Sequence, residues 1–292
     1  MRPAEGDTLP RGSLRPSPAP RTAPDATPRP LRIIGCCGWS VSGSVQEAFP
    51  GSGSHLQRYA GRYAGVEISS SFYRHHQRAT YARWAASVPG GFRFAVKFPR
   101  GVTHDARLVG TMPEIEAFLD ETAGLGSARG PLLIQLPPSL AFQGRTVARF
   151  LTGLRRRYAG ELVCEPRHPT WFTAGATQLL TEFQIARVAA DPARVPEAGV
   201  PGAWDGLRYY RLHGSPIIYR SSYDDSYLAA LARSIDDDPA PLWCIFDNTM
   251  LQAAQRNALQ LLTLVRPATP PEDRSTARDQ SPEPSAPPAA SR

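Results

Sequence analysis

The sequence predicts an α/β fold, specifically a (β/α)8 barrel of the TIM type that forms a single domain. Eight short, apolar, β-favouring runs recur along the chain, and amphipathic helical patterns lie between most of them. This alternation is typical of a parallel sheet covered by helices. Eight repeats in roughly 235 residues match the usual barrel length of about 250. A doubly wound open sheet is the alternative, and no G-x-G-x-x-G follows the first strand to favour it.

The predicted strands are the eight apolar runs. In order along the chain they are residues 32–37, 65–70, 92–98, 131–136, 161–165, 184–190, 207–212 and 242–246. The predicted helices have apolar residues spaced three, four and seven apart, as Val147, Phe150, Leu151 and Leu154 are in one of them. They are residues 54–63, 78–88, 111–124, 145–158, 174–183, 226–235 and 250–264.

Composition divides the chain into three parts. Half of its 30 prolines lie near the two ends, which are rich in Pro and Ala and show no apolar periodicity. We therefore expect disordered tails at 1–31 and 267–292, and a folded barrel domain at 32–266. No apolar run reaches the roughly 20 residues of a membrane-spanning helix, and no secretory signal is evident. The expected location is the cytoplasm, with no membrane partner.

The net charge of +7 favours a small polar or anionic ligand and gives only weak support to nucleic-acid binding. The basic residues are 32 arginines and one lysine, a bias that a GC-rich genome would also produce. No redox-cofactor motif is present, and the four cysteines lack the CxxC spacing of a zinc site. We therefore expect no cofactor. A divalent metal held by Glu67, Glu165, Asp191, His213 and Asp247 is a less favoured alternative.

Polar side chains follow or end almost every predicted strand. In a barrel these strand ends build the active site, and residues two apart share a face. Glu67, Lys97, Glu165 and His213 should therefore converge at one mouth, and we predict them as catalytic residues. Glu165 or Glu67 would act as the general base and His213 or Lys97 as the general acid. The alternative is that Glu165 with Arg211, or Glu67 with Lys97, are internal salt bridges that only brace the barrel.

Five more residues are predicted to bind the substrate. They are Tyr73, Gln135, Arg167, Arg211 and Asn248. The two guanidinium groups match a carboxylate or phosphate, and the two amides would orient the substrate. Lys97 is also singled out as the only lysine, because an ammonium can lose its proton where a guanidinium cannot.

Eight segments also resemble a known family. They are GCCGWS (35–40), FPGSGSHLQRYA (49–60), VEISSSFY (66–73), FRFAVKFPRGVTH (92–104), LLIQLPPSLAF (132–142), CEPRHPTWF (164–172), YYRLHGSPIIY (209–219) and CIFDNT…NAL (244–259). In this order they resemble the domain-of-unknown-function 72, or YecE-like, family over about residues 33–262. The resemblance implies a (β/α)8-type barrel and places motif residues at Glu67, Lys97, Gln135, Glu165, Arg167, Arg211, His213 and Asn248. The family name itself implies no established activity.

The sequence therefore predicts an enzyme, a hydrolase, isomerase or lyase, that acts by proton transfer on a small, anionic substrate. Two alternatives stay open. One is a ligand-binding sensor or scaffold without catalysis, and the other is a metal-dependent hydrolase that processes nucleic acid.

Overall fold

The fold is built from ten strands and seven α-helices among residues 30–41 and 43–266, which the computed structural model describes. The strands are β1 (Arg32–Cys36), β2 (Gly65–Ile68), β3 (Arg93–Lys97), β4 (Arg129–Gln135), β5 (Leu162–Glu165), β6 (Ile185–Arg187), β7 (Ala189–Asp191), β8 (Gly202–Ala203), β9 (Arg208–Leu212) and β10 (Leu242–Phe246). The helices are α1 (His55–Ala60), α2 (Arg78–Ala86), α3 (Met112–Thr122), α4 (Gly144–Arg155), α5 (Ala174–Glu182), α6 (Asp225–Asp237) and α7 (Ala253–Leu264). The predicted tails lie almost wholly outside these residues.

The strands form two sheets whose pairs are parallel except for β6 with β8. One sheet has the order β1-β10-β9-β7 and the other the order β2-β3-β4-β5-β6-β8. The sheets adjoin at two places. An isolated parallel bridge joins Cys37 after β1 to Glu67 of β2, and only Val188 separates β6 from β7. Apart from the short β8, neighbouring strands therefore follow the chain order that the predicted barrel requires.

Strands β1 to β6 and β10 bury both of their faces, as strands of parallel sheets do. Phe94 and Val96 of β3 belong to the larger core between the sheets and the helices. Ala95 belongs to a second cluster on the opposite face, with Ile33, Leu133, Val163, Tyr209, Trp243 and Ile245. Residues two apart on β3 thus share a face, as the pleat of a strand requires.

The indole of Trp243 fills much of the space inside the second cluster. A Cβ atom on Gly130 would lie 2.7 Å from Trp243 Cζ2, and one on Gly65 would lie 3.3 Å from Trp243 Cη2. Two strands therefore carry glycine where the largest side chain of a third strand passes. The polar site lies next to this apolar layer, on the side that faces the carboxyl ends of the strands.

The predicted elements are present, with three local differences. The predicted strand 184–190 is divided at Val188, whose N–H donates to the Cys164 carbonyl while β7 pairs with β9. The two-residue β8 was not predicted because it is too short to show a pattern. The predicted helix 250–264 begins at Ala253, since Gln252 has a left-handed φ of 61°. Among the described residues, no helix is long and apolar enough to cross a membrane.

Candidate active site

The polar residues at the carboxyl ends of the strands meet in one cluster. Lys97, Gln135 and Glu165 each end a strand, and Arg211 lies one residue before the end of β9. His213 and Asp247 directly follow β9 and β10. All of these side chains are at least nine-tenths buried. The convergence expected from the strand pattern is therefore present in the structure.

Arg211 is the centre of the cluster. Its guanidinium holds Glu67 with two hydrogen bonds, from Nε to Oε2 at 3.0 Å and from Nη2 to Oε1 at 2.8 Å. Nη1 donates to Glu165 at 2.6 Å and Nη2 also donates to Asp247 at 3.0 Å. Arg211 is only 1% exposed. One cation thus contacts three buried carboxylates, each of which would be very costly to bury alone, and Arg167 and His213 contact two of the three as well.

Glu67 is fully enclosed. Besides Arg211, it accepts hydrogen bonds from Tyr209 Oη at 2.9 Å and from Ser69 Oγ at 2.7 Å. The Cys37 thiol donates to Ser69 Oγ at 2.9 Å. Burial, followed by the nearby charges of Asp247 and Glu67, raises the pKa of Cys37 well above its usual value, so this thiol stays protonated.

Glu165 accepts hydrogen bonds from several donors. Gln135 Nε2 lies 3.0 and 3.1 Å from its two oxygens, in the register that aligns these residues on β4 and β5. Arg167 Nε donates to Oε1 at 3.0 Å. Burial alone would raise the pKa of Glu165, but Arg211, His213 and Arg167 outweigh burial and hold it well below its usual range. Glu165 is therefore a carboxylate at neutral pH.

His213 lies between two carboxylates. Its Nδ1 is 3.0 Å from Asp247 Oδ2 and its Nε2 is 3.1 Å from Glu165 Oε1. A neutral imidazole could donate to only one of them, so this geometry favours the doubly protonated ring. Burial works against the charge, but Glu165 and Asp247 outweigh burial and raise the pKa of His213. The same contacts with Arg211 and His213 overcome burial at Asp247 and lower its pKa to about 2.

Lys97 is the exception in this paired cluster. Among the described residues no carboxylate lies within 4.0 Å of its Nζ, which lies 3.9 Å above the ring of Phe72. Burial first, and then the charge of Arg211, lower the pKa of Lys97 to about 8, with Glu67 and Glu165 opposing the shift. The proposed salt bridge between Glu67 and Lys97 is therefore wrong, since Glu67 pairs with Arg211 instead. The other proposed pair, Glu165 with Arg211, is confirmed at 2.6 Å.

Positive groups gather on the Lys97 side of the cluster. Burial and then the charges of Lys97, Arg100 and Arg167 lower the pKa of His104 to about 4. His104 is therefore a neutral imidazole at physiological pH, beside three cations. Arg167 uses Nε and Nη2 in its contacts with Glu165 and His213, and its side chain is 22% exposed. This side of the cluster suits an anion.

Two cavities adjoin the cluster. The larger one, about 700 Å³, has Cys37 and Ser69 in its wall and opens between the ends of β1, β2 and β10. The smaller one, about 30 Å³, is lined by Glu165, Arg167 and His213 and has room for one or two water molecules. A small molecule can therefore approach the cluster through the larger cavity, whereas the smaller cavity admits only water.

Two predicted substrate-binding residues lie outside the ionic cluster. Tyr73 lines the larger cavity and is 78% exposed. Asn248 is fully buried, and its Nδ2 donates to the Ser221 carbonyl and to Asn257 Oδ1, while its own Oδ1 has no hydrogen-bond partner. Asn248 thus braces the segment after β9. A direct contact between Asn248 and a substrate stays a prediction.

Sequence reasoning did not identify several residues that complete the site. The period of two places Tyr209 on the same face as Arg211, but no role in the site was predicted for Tyr209. Trp39, His55 and Gln255 line the larger cavity from a loop and two helices. Nothing in their local sequence pattern marks them, because only the packing of α1 and α7 brings them to the mouth.

The alternative metal site does not assemble in the part of the chain that the structure describes. Asp191 accepts instead from Tyr223 Oη at 2.9 Å, and Glu67, Glu165 and Asp247 surround a guanidinium. No three His, Cys, Asp or Glu side chains among these residues form a group that could hold a metal ion.

Comparison with known proteins gives consistent relatives. The sequence model of the family described as "Protein of unknown function DUF72" matches residues 33–282. The UPF0759 protein YunF of Bacillus subtilis is 27% identical over 182 residues, which cover 58% of this chain and 63% of that protein. The chain thus matches less than two thirds of YunF.

Solved structures of two DUF72 proteins have a similar fold. A protein from Enterococcus faecalis is 20% identical, with 80% of this chain and 95% of that chain covered and a TM-score of 0.67. A protein from Thermotoga maritima is 23% identical, with 80% and 98% covered and a TM-score of 0.66. At these identities the likeness concerns the fold alone.

Proposed function

We propose that this chain, which belongs to the DUF72 family, is an enzyme that transfers protons to or from a small anionic substrate. The family name assigns no activity, so the support for the proposal comes from the chemistry of the site. On this proposal the site lies at the C-terminal mouth of a (β/α)8 barrel. The reaction class is a hydrolysis, isomerisation or lyase reaction. The observation that carries the proposal is the unpaired, buried ammonium of Lys97.

An unpaired buried cation costs stability, so its presence calls for a function. The charges of Glu67 and Glu165 act on Lys97, but both carboxylates are paired with Arg211. Contact with one of these carboxylates would have stabilised the ammonium and kept its pKa high. Its separation from them, with a pKa of about 8, suits a group that gains and loses a proton near neutral pH.

Lys97 therefore takes the role of general acid and base. In its ammonium form it donates a proton to a substrate oxygen, and in its amine form it accepts one. Near pH 8 both forms are present in comparable amounts, which is the condition for efficient proton transfer in both directions. Arginine could not replace it, because a guanidinium does not lose its proton in a protein.

Arg167 is assigned to the anionic group of the substrate. It is the most exposed cation of the cluster, and its Nη1 has no partner among the described residues. Glu165 Oε1 fixes the guanidinium from behind, at 3.0 Å from Nε and from Nη2. A carboxylate or phosphate bound there lies on the same side as Lys97, where the charges already lower the pKa of His104.

The roles first predicted for the buried acids are revised in this proposal. Glu67 and Glu165 are carboxylates held by several donors each, and a carboxylate with so low a pKa as Glu165 is a weak base. We assign them, with Arg211, as positioning residues. His213 keeps its positive charge between Asp247 and Glu165, and so adds to the field that attracts an anion.

The test is binding and turnover of small phosphates and carboxylates by the full chain. Wild-type protein should be stabilised against heat by at least one of these anions, and Lys97→Met and Arg167→Met should abolish the stabilisation. Arg145→Met is the matched control, because this exposed arginine on α4 lies outside the cluster. Proton transfer is then followed by NMR as deuterium exchange or product formation in D2O.

Three outcomes decide the proposal. Stabilisation with turnover that is lost in Lys97→Met supports the enzyme. Binding that depends on Lys97 without turnover or exchange for any bound anion overturns the catalytic part and favours a ligand sensor. If no phosphate or carboxylate binds, or if Arg145→Met weakens binding as much as Arg167→Met, the assignment of the anion site is wrong.

A further inference from the structure

We propose that the 700 Å³ cavity binds an aromatic ring that the anionic substrate carries, so that the substrate class is a small aromatic phosphate or carboxylate. This inference rests on the proposed function and adds the aromatic ring as a second part of the substrate, beside its anionic group. The volume is within the range of pockets for small ligands, about 300–1,000 Å³. Four observations support an aromatic occupant.

The first observation is continuity with Lys97. Its Nζ lies 3.9 Å above the Phe72 ring, and the Phe72 ring lies 4.9 Å from the ring of Tyr73, edge to face. Tyr73 is part of the cavity wall. The Phe72 ring thus contacts both the ammonium and the Tyr73 ring of the cavity wall, which makes Lys97 and the cavity neighbours.

The second observation is that the cavity and the ionic cluster share a wall. Cys37 and Ser69 line the cavity, and Ser69 Oγ donates to Glu67 at 2.7 Å. A ligand in the cavity therefore contacts side chains that are hydrogen-bonded to the carboxylates around Arg211. The cavity belongs to the site and is not a separate surface feature.

The third observation is the character of the outer wall. Trp39, Tyr73 and Met250 contribute two aromatic faces and a thioether. Tyr73 is 78% and Met250 is 60% exposed, so large apolar side chains stand in solvent at the entrance. Aromatic rings and methionine sulfur bind other aromatic rings favourably, and such a ligand would cover these side chains.

The fourth observation is a donor and an acceptor in the same cavity. The Val41 N–H donates to His55 Nδ1 at 2.9 Å, so Nδ1 is unprotonated and the proton of the neutral ring is on Nε2. Gln255 is 93% buried, its Nε2 donates to the Ser40 carbonyl, and its Oε1 has no donor among the described residues. A ring with polar atoms on its edge would satisfy both groups, which favours a heteroaromatic or hydroxylated ring.

The experiment compares aryl phosphates with inorganic phosphate. Phenyl, benzyl and 2-phenylethyl phosphate are titrated calorimetrically into the full chain, so that linkers of three lengths are covered. We expect the tightest aryl phosphate to bind at least tenfold more tightly than inorganic phosphate. Tyr73→Ala and Met250→Ala should remove most of this advantage and leave the affinity for inorganic phosphate unchanged.

Leu251→Ala is the matched control. Leu251 neighbours Met250 in the chain and is 64% exposed, but it does not line the cavity. Its replacement should leave the affinity for aryl phosphates unchanged. Because Tyr73, Met250 and Leu251 are all largely exposed, none of the three variants should impair folding.

The outcomes separate this inference from the proposed function. If inorganic phosphate binds and the aryl phosphates bind no more tightly, the aromatic cavity is refuted and the anion site stands. If the aryl advantage persists in Tyr73→Ala and Met250→Ala, the ring binds elsewhere and the inference is also refuted. If neither inorganic phosphate nor any aryl phosphate binds, the anion site for phosphate fails together with this inference.

Discussion

Replacing Lys97 by methionine should stabilise the protein at neutral pH, although it removes the group proposed to transfer protons. Burial and the charge of Arg211 lower the pKa of Lys97 from 10.5 to about 8. Each pKa unit corresponds to about 1.4 kcal/mol, so keeping the ammonium charged in the folded state costs about 3 kcal/mol. Methionine has a similar length and no charge, and it should recover most of this free energy.

The stability that Lys97→Met gains over the wild type should decrease as the pH rises. Below pH 8 both the folded and the unfolded protein hold the proton on Lys97, and the full cost is present. Between pH 8 and 10.5 the unfolded state binds more protons than the folded state, so this group makes the wild type more stable as the pH rises. The difference in stability between Lys97→Met and the wild type should therefore be large at pH 7 and small near pH 10.5.

Two measurements check this prediction. Urea unfolding of both proteins at pH 7 and pH 10 gives the stability difference, in which all other titrating groups cancel. At roughly 2–4 °C per kcal/mol for a domain of this size, the melting temperature at pH 7 should rise by roughly 6–12 °C. Because Lys97 is the only lysine, [13C]lysine labelling gives a single side-chain signal whose pH titration yields its pKa directly.

Lys97→Arg serves as the control, since it keeps a charge that cannot be lost and should give no stabilisation. A titration midpoint near 10.5 would refute the reasoning, because the ammonium would then bear no net cost in the folded state. A Lys97→Met variant that is no more stable than the wild type at pH 7 would refute it as well.

Three further predictions follow from the same geometry. Arg211→Met should cost about 3–5 kcal/mol in urea unfolding, because it leaves buried carboxylates without their cation, and a loss below 1 kcal/mol would contradict this role. Glu165→Gln should lower the pKa of His213 in an NMR titration. The raised pKa means that the imidazolium stabilises the wild type at low pH and that this stability is lost as the pH rises through the folded pKa. The variant should therefore lose less stability than the wild type as the pH rises above 6.5. Gly130→Ala should cost about 1–3 kcal/mol because its Cβ would meet an indole ring, whereas Gly175→Ala, with no atom within 4 Å, should stay within about 0.5 kcal/mol in the same unfolding experiment. Equal effects of the two alanine substitutions would show that the interior can relax around Gly130.

The fold was predictable because its signals are local. Most strands are short apolar runs with both faces buried. The helices repeat apolar residues every three or four positions, as α4 does with Val147, Phe150, Leu151 and Leu154. Elements without such a pattern were missed. β8 has only two residues, and the division of the sixth predicted strand at Val188 depends on which neighbour each half meets.

The sequence predicted the location of the site better than it predicted the contacts between the residues in it. The strand ends and the period of two brought Glu67, Lys97, Glu165 and Arg211 together correctly. Which acid would pair with which base could not be read from them, since each carboxylate had two cations within reach in the chain pattern. The hydrogen bonds of the Arg211 guanidinium show that Glu67, Glu165 and Asp247 are its partners.

The sequence by itself determined the order of the strands and helices, the carboxyl-end location of the site and the singular position of Lys97. These follow from periodicity, from the common direction of parallel strands and from composition, which are properties of the chain alone. Only the tertiary structure decided that Arg211 holds three acids, that Lys97 is left without a partner and that an aromatic-walled cavity opens beside it. Distances of a few ångströms between residues far apart in sequence set those features, and the free energy of a buried charge depends on such distances.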